Sequence, residues 1–322
     1  MTTTTRRRTV LLCLPPLLAG CAGGGGGRGR REAEGTAQRF AAALDSAEDA
    51  LDGLIARMDG FERQAAAEEE AIAFATGRTV RGGARGELPS RFTPAPAGAA
   101  DAAGRLLDTA FAALEDYAET LAQAAAGERL VDAEGLNGGQ LARSAEAALT
   151  ALARNGGGSV PEAERRAGLQ AIAALADLPQ TLARSGRRTT ESAVVAEAQP
   201  HVAAIAALLR AAVGTGPGQG ARGAIAARQT ALDASQSRLL AAVRSDSRIG
   251  PTARYSVFRS VTESRDDDPD EGAFDALLAL IRAMEEAHAA LGTGGTDAEM
   301  KVSAFEYAVL RLRAYNAASR RG

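Results

Sequence analysis

Acid and imidazole side chains are the groups in this chain whose spacing could do chemistry. Glu285 and His288 stand three residues apart in Glu285-Glu286-Ala287-His288. At i, i+3 on a helix two side chains share a face and can grip one ion. A two-metal site of that kind needs a second such pair and two further carboxylates. The nearest match, Glu197 and His201, is four apart with Pro200 intervening, which spoils the helical register. The chain is therefore expected to hold no metal and no other cofactor; Glu285 and His288 are the weak candidates for a metal, and otherwise His288 reads as a helix-edge histidine. Asp266, Asp268 and Asp270 alternate like the start of a calcium loop, but Gly272 comes one position late and Leu277 stands where a bidentate glutamate belongs. They read instead as favourable charge at a helix N-terminus. Glu68-Glu69-Glu70 reads as a solvated helix face.

Other chemistries find no support in the residue order. There is no Gly-x-Ser-x-Gly elbow, no His-Glu-x-x-His helix, no phosphate-binding glycine loop and no Cys-x-x-Cys pair. With no catalytic residue to name, the chain is not expected to be an enzyme. Of 37 basic residues only Lys301 is lysine, so arginine abundance reflects overall composition rather than a nucleic-acid footprint. The two cysteines are Cys13 and Cys21; one lies inside an N-terminal leader and the other closes it, so no thiol pair is left to staple a body of about 300 residues.

The elements that must position these groups read as helices throughout. From about 32 to 75, Phe40, Leu44, Ala47, Leu51, Leu54, Met58, Phe61, Ala65, Glu68, Ile72 and Ala75 alternate steps of four and three, the spacing of a coiled-coil seam. Gly53 and Gly60 weaken that helix by about 1 kcal/mol each relative to Ala, so a long packed partner, antiparallel or from another subunit, is expected to hold it. Further helices are predicted over about 101–126, 137–154, from Glu162 onward, 190–213, 224–245, 252–264, 269–291 and 297–319. Ser159, Pro161 and Glu162 form a capping-box pattern, and Asp268-Pro269 and Thr296 with Glu299 mark two more starts. Pro179 should end or kink the fourth helix, and Pro200 should interrupt the fifth. No strand-like alternation of β-branched residues occurs, so the fold class is all-α, a mostly antiparallel multi-helix bundle with a long heptad-patterned first helix. A candidate subdomain boundary lies at 214–223, where Pro217 accompanies five glycines.

Two segments are not expected to be helical. Residues 77–98 carry Pro89, Pro94 and Pro96 with Arg78, Arg81, Arg85 and Arg91 against the single acid Glu87. The segment reads as a solvated loop, with those four arginines a candidate contact for an anionic surface such as lipid phosphate. Residues 22–31, mostly glycine and arginine, read as a flexible tether with a reach of roughly 15–20 Å.

The N-terminus carries the one passage with a specific biochemical meaning. Arg6-Arg7-Arg8 precedes an apolar run from Val10 to Ala19 that contains Pro15-Pro16, and Leu18-Ala19-Gly20-Cys21 closes it. Ten apolar residues cover about half the roughly 20 needed to cross a bilayer, so a retained transmembrane anchor does not fit and a cleaved leader does. The passage resembles the signal peptide of bacterial lipoproteins, matching their lipobox at Leu18, Ala19, Gly20 and Cys21. The resemblance covers only the first tenth of the chain. It implies removal of residues 1–20, acylation of Cys21 (palmitate among the chains) and attachment to a membrane. In that family Ala22 rather than Asp after the cysteine favours the outer membrane, so the expected address is the periplasmic face of that membrane.

Loss of Arg6, Arg7 and Arg8 with the leader leaves 34 basic against 40 acidic residues, a net charge of about −6, which disfavours nucleic acid as a partner. The expected role is a lipid-anchored helical scaffold or interaction protein whose partner is an envelope protein or cell-wall polymer. The alternative is that the helical domain, 32–322, is a small-ligand or metal-binding bundle of the kind an enzyme can be built on.

Overall fold

In a computed structural model, residues 27–77, 98–130, 137–185, 189–216, 218–265 and 271–318 are described, with 27–34 as backbone alone. The leader, Cys21, the lipobox, Arg78 to Arg91 and Asp266 to Asp270 lie outside them. Among the described residues the chain forms nine α-helices and no strand: α1 Gly27–Ala75, α2 Ala99–Ala126, α3 Gly138–Leu152, α4 Glu162–Ser185, α5 Glu191–Val213, α6 Gly220–Ser245, α7 Pro251–Glu263, α8 Glu271–Leu291 and α9 Gly295–Ala318. The all-α bundle expected from the sequence is the fold.

The seam of α1 is the spine of the molecule. Phe40, Leu44, Ala47, Leu51, Leu54, Met58, Phe61, Ala65 and Ile72 are all buried, as the steps of four and three require. Their partners are in the same chain: α1 packs against α2, α9, α6 and α8. Helix α2 runs antiparallel to α1, for Gly98 lies against Glu62 and Gly104 against Ile55. Helix α9 runs parallel to α1, since Arg39 bonds Glu306 and Asn316 bonds the carbonyl of Ala50.

Small residues let these rods approach closely. An added Cβ at Gly104 would sit 2.6 Å from the Ile55 side chain, and one at Gly168 on α4 would sit 2.5 Å from Leu208 on α5. Buried alanine removes little surface from water per residue, so close approach and the many dispersion contacts it brings must hold an alanine-rich core together.

Several boundaries differ from expectation for physical reasons. Helix α1 begins at Gly27, so 27–31, expected in the tether, are helical; Arg28, Arg30, Arg31 and Glu32 are good helix formers that outweigh the glycines. Helix α4 runs through Pro179, which neither ends nor divides it. Buried Leu175, Ala176, Leu178 and Leu182 flank that proline and pin both halves to the core. Helix α5 is likewise continuous through Pro200. Helix α4 starts at Glu162 with the carbonyl of Pro161 accepting its first helical bond, from Arg165 N, so Pro161 and not Ser159 of the capping-box pattern stands at the cap. Between α5 and α6 the chain reverses tightly on Gly214 (φ +98°), Gly218 (φ +75°) and Gly220 (φ +57°), conformations that favour glycine. The two sides of this segment share one core.

Candidate functional site

The chemistry-bearing side chains are sorted by which helix pair they lie between. His288 of α8 is completely buried, as is Tyr117 of α2. The hydroxyl of Tyr117 lies 2.8 Å from His288 Nε2, and His288 Nδ1 lies 2.6 Å from Gln199 Oε1 on α5. Nδ1–H therefore donates to the amide oxygen, and the Tyr117 hydroxyl donates to Nε2, which fixes a neutral imidazole with its proton on Nδ1. Burial pushes the imidazole down from its ordinary 6.5 to about 4, because the charged form has no water to solvate it. Burial first, and Glu191 second, raise the Tyr117 phenol above its ordinary value. Phe40 closes the cluster, with its ring centroid 6.0 Å from His288 and 5.7 Å from Phe305. Every polar atom of this buried imidazole is matched, the condition under which a polar group in a core does not destabilise it. His288 is thus not the helix-edge residue expected from its sequence context.

Glu285, the other half of the metal candidate, turns to a different partner. Its carboxylate is ion-paired with Arg210 of α5 at the edge of the α5/α8 interface. Glu285 and His288 therefore each have a complete structural role, and both ring nitrogens of His288 are already committed. Glu197 is exposed and His201 half-buried. Among the described residues no group of three or more His, Cys, Asp or Glu side chains could hold a metal ion. Glu68 and Glu69 bind α6, through Gln236 at 2.7 Å and Arg228 at 3.5 Å.

The α1/α2 groove carries acids that sequence reading passed over. Glu115 of α2 faces Glu48, Asp45 and Asp49 of α1. Burial first, then a hydrogen bond and charge repulsion from Glu48, raise its carboxyl from 4.5 to about 8. Glu115 therefore holds its proton near neutral pH. One heptad earlier, Asp108 is raised to about 6 by partial burial, Asp52 and Glu48. The groove over Glu115, Glu119 and Asp45 has a volume of about 300 Å³. Nearby, Glu62 of α1 accepts bonds from the backbone N–H groups of Ala99 (3.1 Å) and Ala100 (2.9 Å). A carboxylate from a neighbouring helix thus satisfies two of the donors that every helix start leaves open.

Heptad arithmetic on each helix alone carried the signal for the acid groove: Asp101, Asp108 and Glu115 are seven apart. The Tyr117–His288–Gln199 cluster had no such signal, since 171 residues separate Tyr117 from His288.

Helix α5 is apolar enough, over a window of mean hydropathy 1.4, to match a membrane span. Val194, Val195, Val202, Ile205, Leu208 and Leu209 are buried in the core, so protein packing accounts for that apolarity. Comparison of the chain with family models, with curated protein sequences and with solved structures finds no match.

Proposed function

We propose that this chain is a lipid-anchored protein of the cell envelope, tied through Cys21 to the periplasmic face of the outer membrane, with a helical body that serves as a scaffold or interaction module. The observation that carries the reading is Leu18-Ala19-Gly20-Cys21, placed directly after a basic stretch and a ten-residue apolar run. Several acyl chains on one residue make anchoring stable, because each buried methylene contributes about 0.8 kcal/mol and a single chain binds only marginally.

Two features of the body support an interaction role. Three of its buried or half-buried titratable groups are spent on structure: His288 on Tyr117 and Gln199, Glu285 on Arg210, Glu68 on Gln236. Its surface, in contrast, leaves large apolar side chains in water, among them Phe74, Tyr255, Phe258 and Tyr307. Arg78, Arg81, Arg85 and Arg91, which follow α1 in the sequence, are the residues we assign to contact with anionic phosphate.

Fractionation tests the anchoring. The natural chain should partition with outer membranes and into detergent, and Cys21→Ser should release it to the soluble envelope fraction. A Cys21→Ser chain that stays in the membrane fraction would overturn the reading. The interaction role predicts that one dominant partner, which includes a second copy of this chain, is recovered at near-equal amount after envelope crosslinking; recovery of none would remove it.

A further inference from the structure

Helix α9 presents apolar residues on two opposite faces. One face is core: Ala298, Val302, Phe305, Val309 and Leu312 are buried. At 100° per residue, the opposite stripe runs through Met300, Ser303, Tyr307, Leu310, Ala314 and Ala317, all exposed. Met300 is 63%, Tyr307 68% and Leu310 61% accessible. Their spacing repeats steps of three and four, so the stripe is a second coiled-coil seam, laid on the outside of the molecule. Single exposed apolar residues need no explanation, but a helical stripe of them does.

The charges beside the stripe select what covers it. On one flank stand Asp297, Ala304 and Arg311, and on the other Glu299, Glu306 and Arg313. Both flanks run from acid at the start of α9 to base at its end. We propose that the occupant is α9 of a second copy of this chain, packed antiparallel about a two-fold axis. In the register that sets Met300 against the partner's Leu310, Asp297 meets the partner's Arg311 and Glu299 meets the partner's Arg313. Symmetry repeats both pairs, giving four attractive contacts, of which the two to Arg313 are shared with Asp49 of its own chain, 3.3 Å from that guanidinium. Ala304 falls on the axis, where its small side chain permits close approach. A parallel pair forms only the two contacts of Glu306 with the partner's Arg311. The one like-charge approach in the antiparallel register is Glu306 to the partner's Glu306, and each such carboxylate is already held by Arg39, which also bonds Ser303 at 2.9 Å. Arg311 makes no ion pair or hydrogen bond among the described residues, so its charge is available to a partner.

The stripe from Met300 to Ala317 is about 26 Å long at 1.5 Å per residue. A single helix pair of that length buries less than the roughly 1,600 Å² of a standard interface, so the dimer belongs in the micromolar range. This pairing stands independently of the proposed anchor. Two-dimensional confinement by an anchor would raise the effective concentration, and two anchored copies would lie along the leaflet because their N-termini point to opposite ends.

Sedimentation of the purified full chain, together with cysteine crosslinking, tests the proposal. The mass at tens of micromolar protein should be that of two chains, and Leu310→Glu should return it to one chain with an unchanged helical circular dichroism spectrum. Under mild oxidation, in a chain with Cys13→Ser and Cys21→Ser, Ala304→Cys should crosslink to its own copy and Tyr307→Cys should not, with the cysteine-free background giving no band. A monomeric parent overturns the proposal, including one that instead binds vesicles or a different protein through this face. A dimer indifferent to Leu310→Glu overturns it as well. Efficient self-crosslinking at Tyr307→Cys but not at Ala304→Cys would show the parallel arrangement and contradict the register.

Discussion

Replacing His288 by Gln should flatten one part of the pH dependence of stability. The imidazole is fully buried, is neutral, and titrates at about 4 rather than 6.5 because burial disfavours its charge. The unfolded chain binds this proton at higher pH than the folded chain does, so stability contributed by keeping the site neutral is complete above 6.5 and is lost as pH falls toward 4. Between pH 7 and pH 5 the unfolded state gains about 2 kcal/mol from protonation that the native state does not, and the full shift corresponds to about 3 kcal/mol below pH 4. His288→Gln keeps a donor and an acceptor in the cluster but removes the proton. It will be less stable than the natural chain at pH 7 by about 1–3 kcal/mol, since an amide cannot match both Tyr117 and Gln199 in the space of a ring. The informative quantity is the double difference: unfolding free energies from urea titrations followed by circular dichroism, for both chains, at pH 7 and pH 5. The natural chain should lose about 2 kcal/mol more than the variant over that interval. Parallel losses in the two chains would refute the argument, because they would mean that His288 takes up its proton as readily when folded as when unfolded.

Glu115→Gln should raise stability at pH 8.5 by about 1–2 kcal/mol. This allows for solvent screening of a half-buried group, and the gain should fade as pH drops to 5, where the natural carboxyl is already protonated in the fold. Urea midpoints at the two pH values check it; a loss of stability at pH 8.5 would contradict a Glu115 carboxyl raised by burial and neighbouring acids. Glu62→Ala strips the cap from two N–H groups of α2 and should cost about 1–2 kcal/mol, with faster amide exchange at Ala99 and Ala100 as the local signature. Gly168→Ala gains roughly 1 kcal/mol of helix propensity yet drives a Cβ to 2.5 Å from Leu208. A net loss is expected in thermal unfolding, and a net gain would mean that α4 and α5 can separate without cost.

Most of this fold was legible in the residue order because α1 and α2 follow the periodicities that helices must follow. Phe40 to Ala65 met the coiled-coil spacing at every step, and all of the apolar seam members in that range are buried. What defeated sequence reasoning was context. Pro179 and Pro200 are helix breakers taken alone, but buried apolar residues on both sides of each, Leu178 and Leu182 around one and Ala198 and Val202 around the other, outweigh one lost backbone bond. His288 looked peripheral because its immediate neighbours are Glu285, Glu286 and alanines, whereas its true partners, Tyr117 and Gln199, lie on α2 and α5. The exposed stripe of α9 escaped notice for the opposite reason: with apolar residues on both faces the helix lacks the one-sided pattern that marks an inner surface. The acid groove was hidden because Glu115 and Glu48 each look like ordinary surface carboxylates until α1 and α2 are set antiparallel.

Intact-mass and peptide mass spectrometry of the protein purified from its own membranes tests the anchoring most directly. The mature chain should begin at Cys21 and carry acyl chains on that residue, with residues 1–20 gone. A mature N-terminus with a free thiol at Cys21, or a chain that still retains its leader, would contradict it.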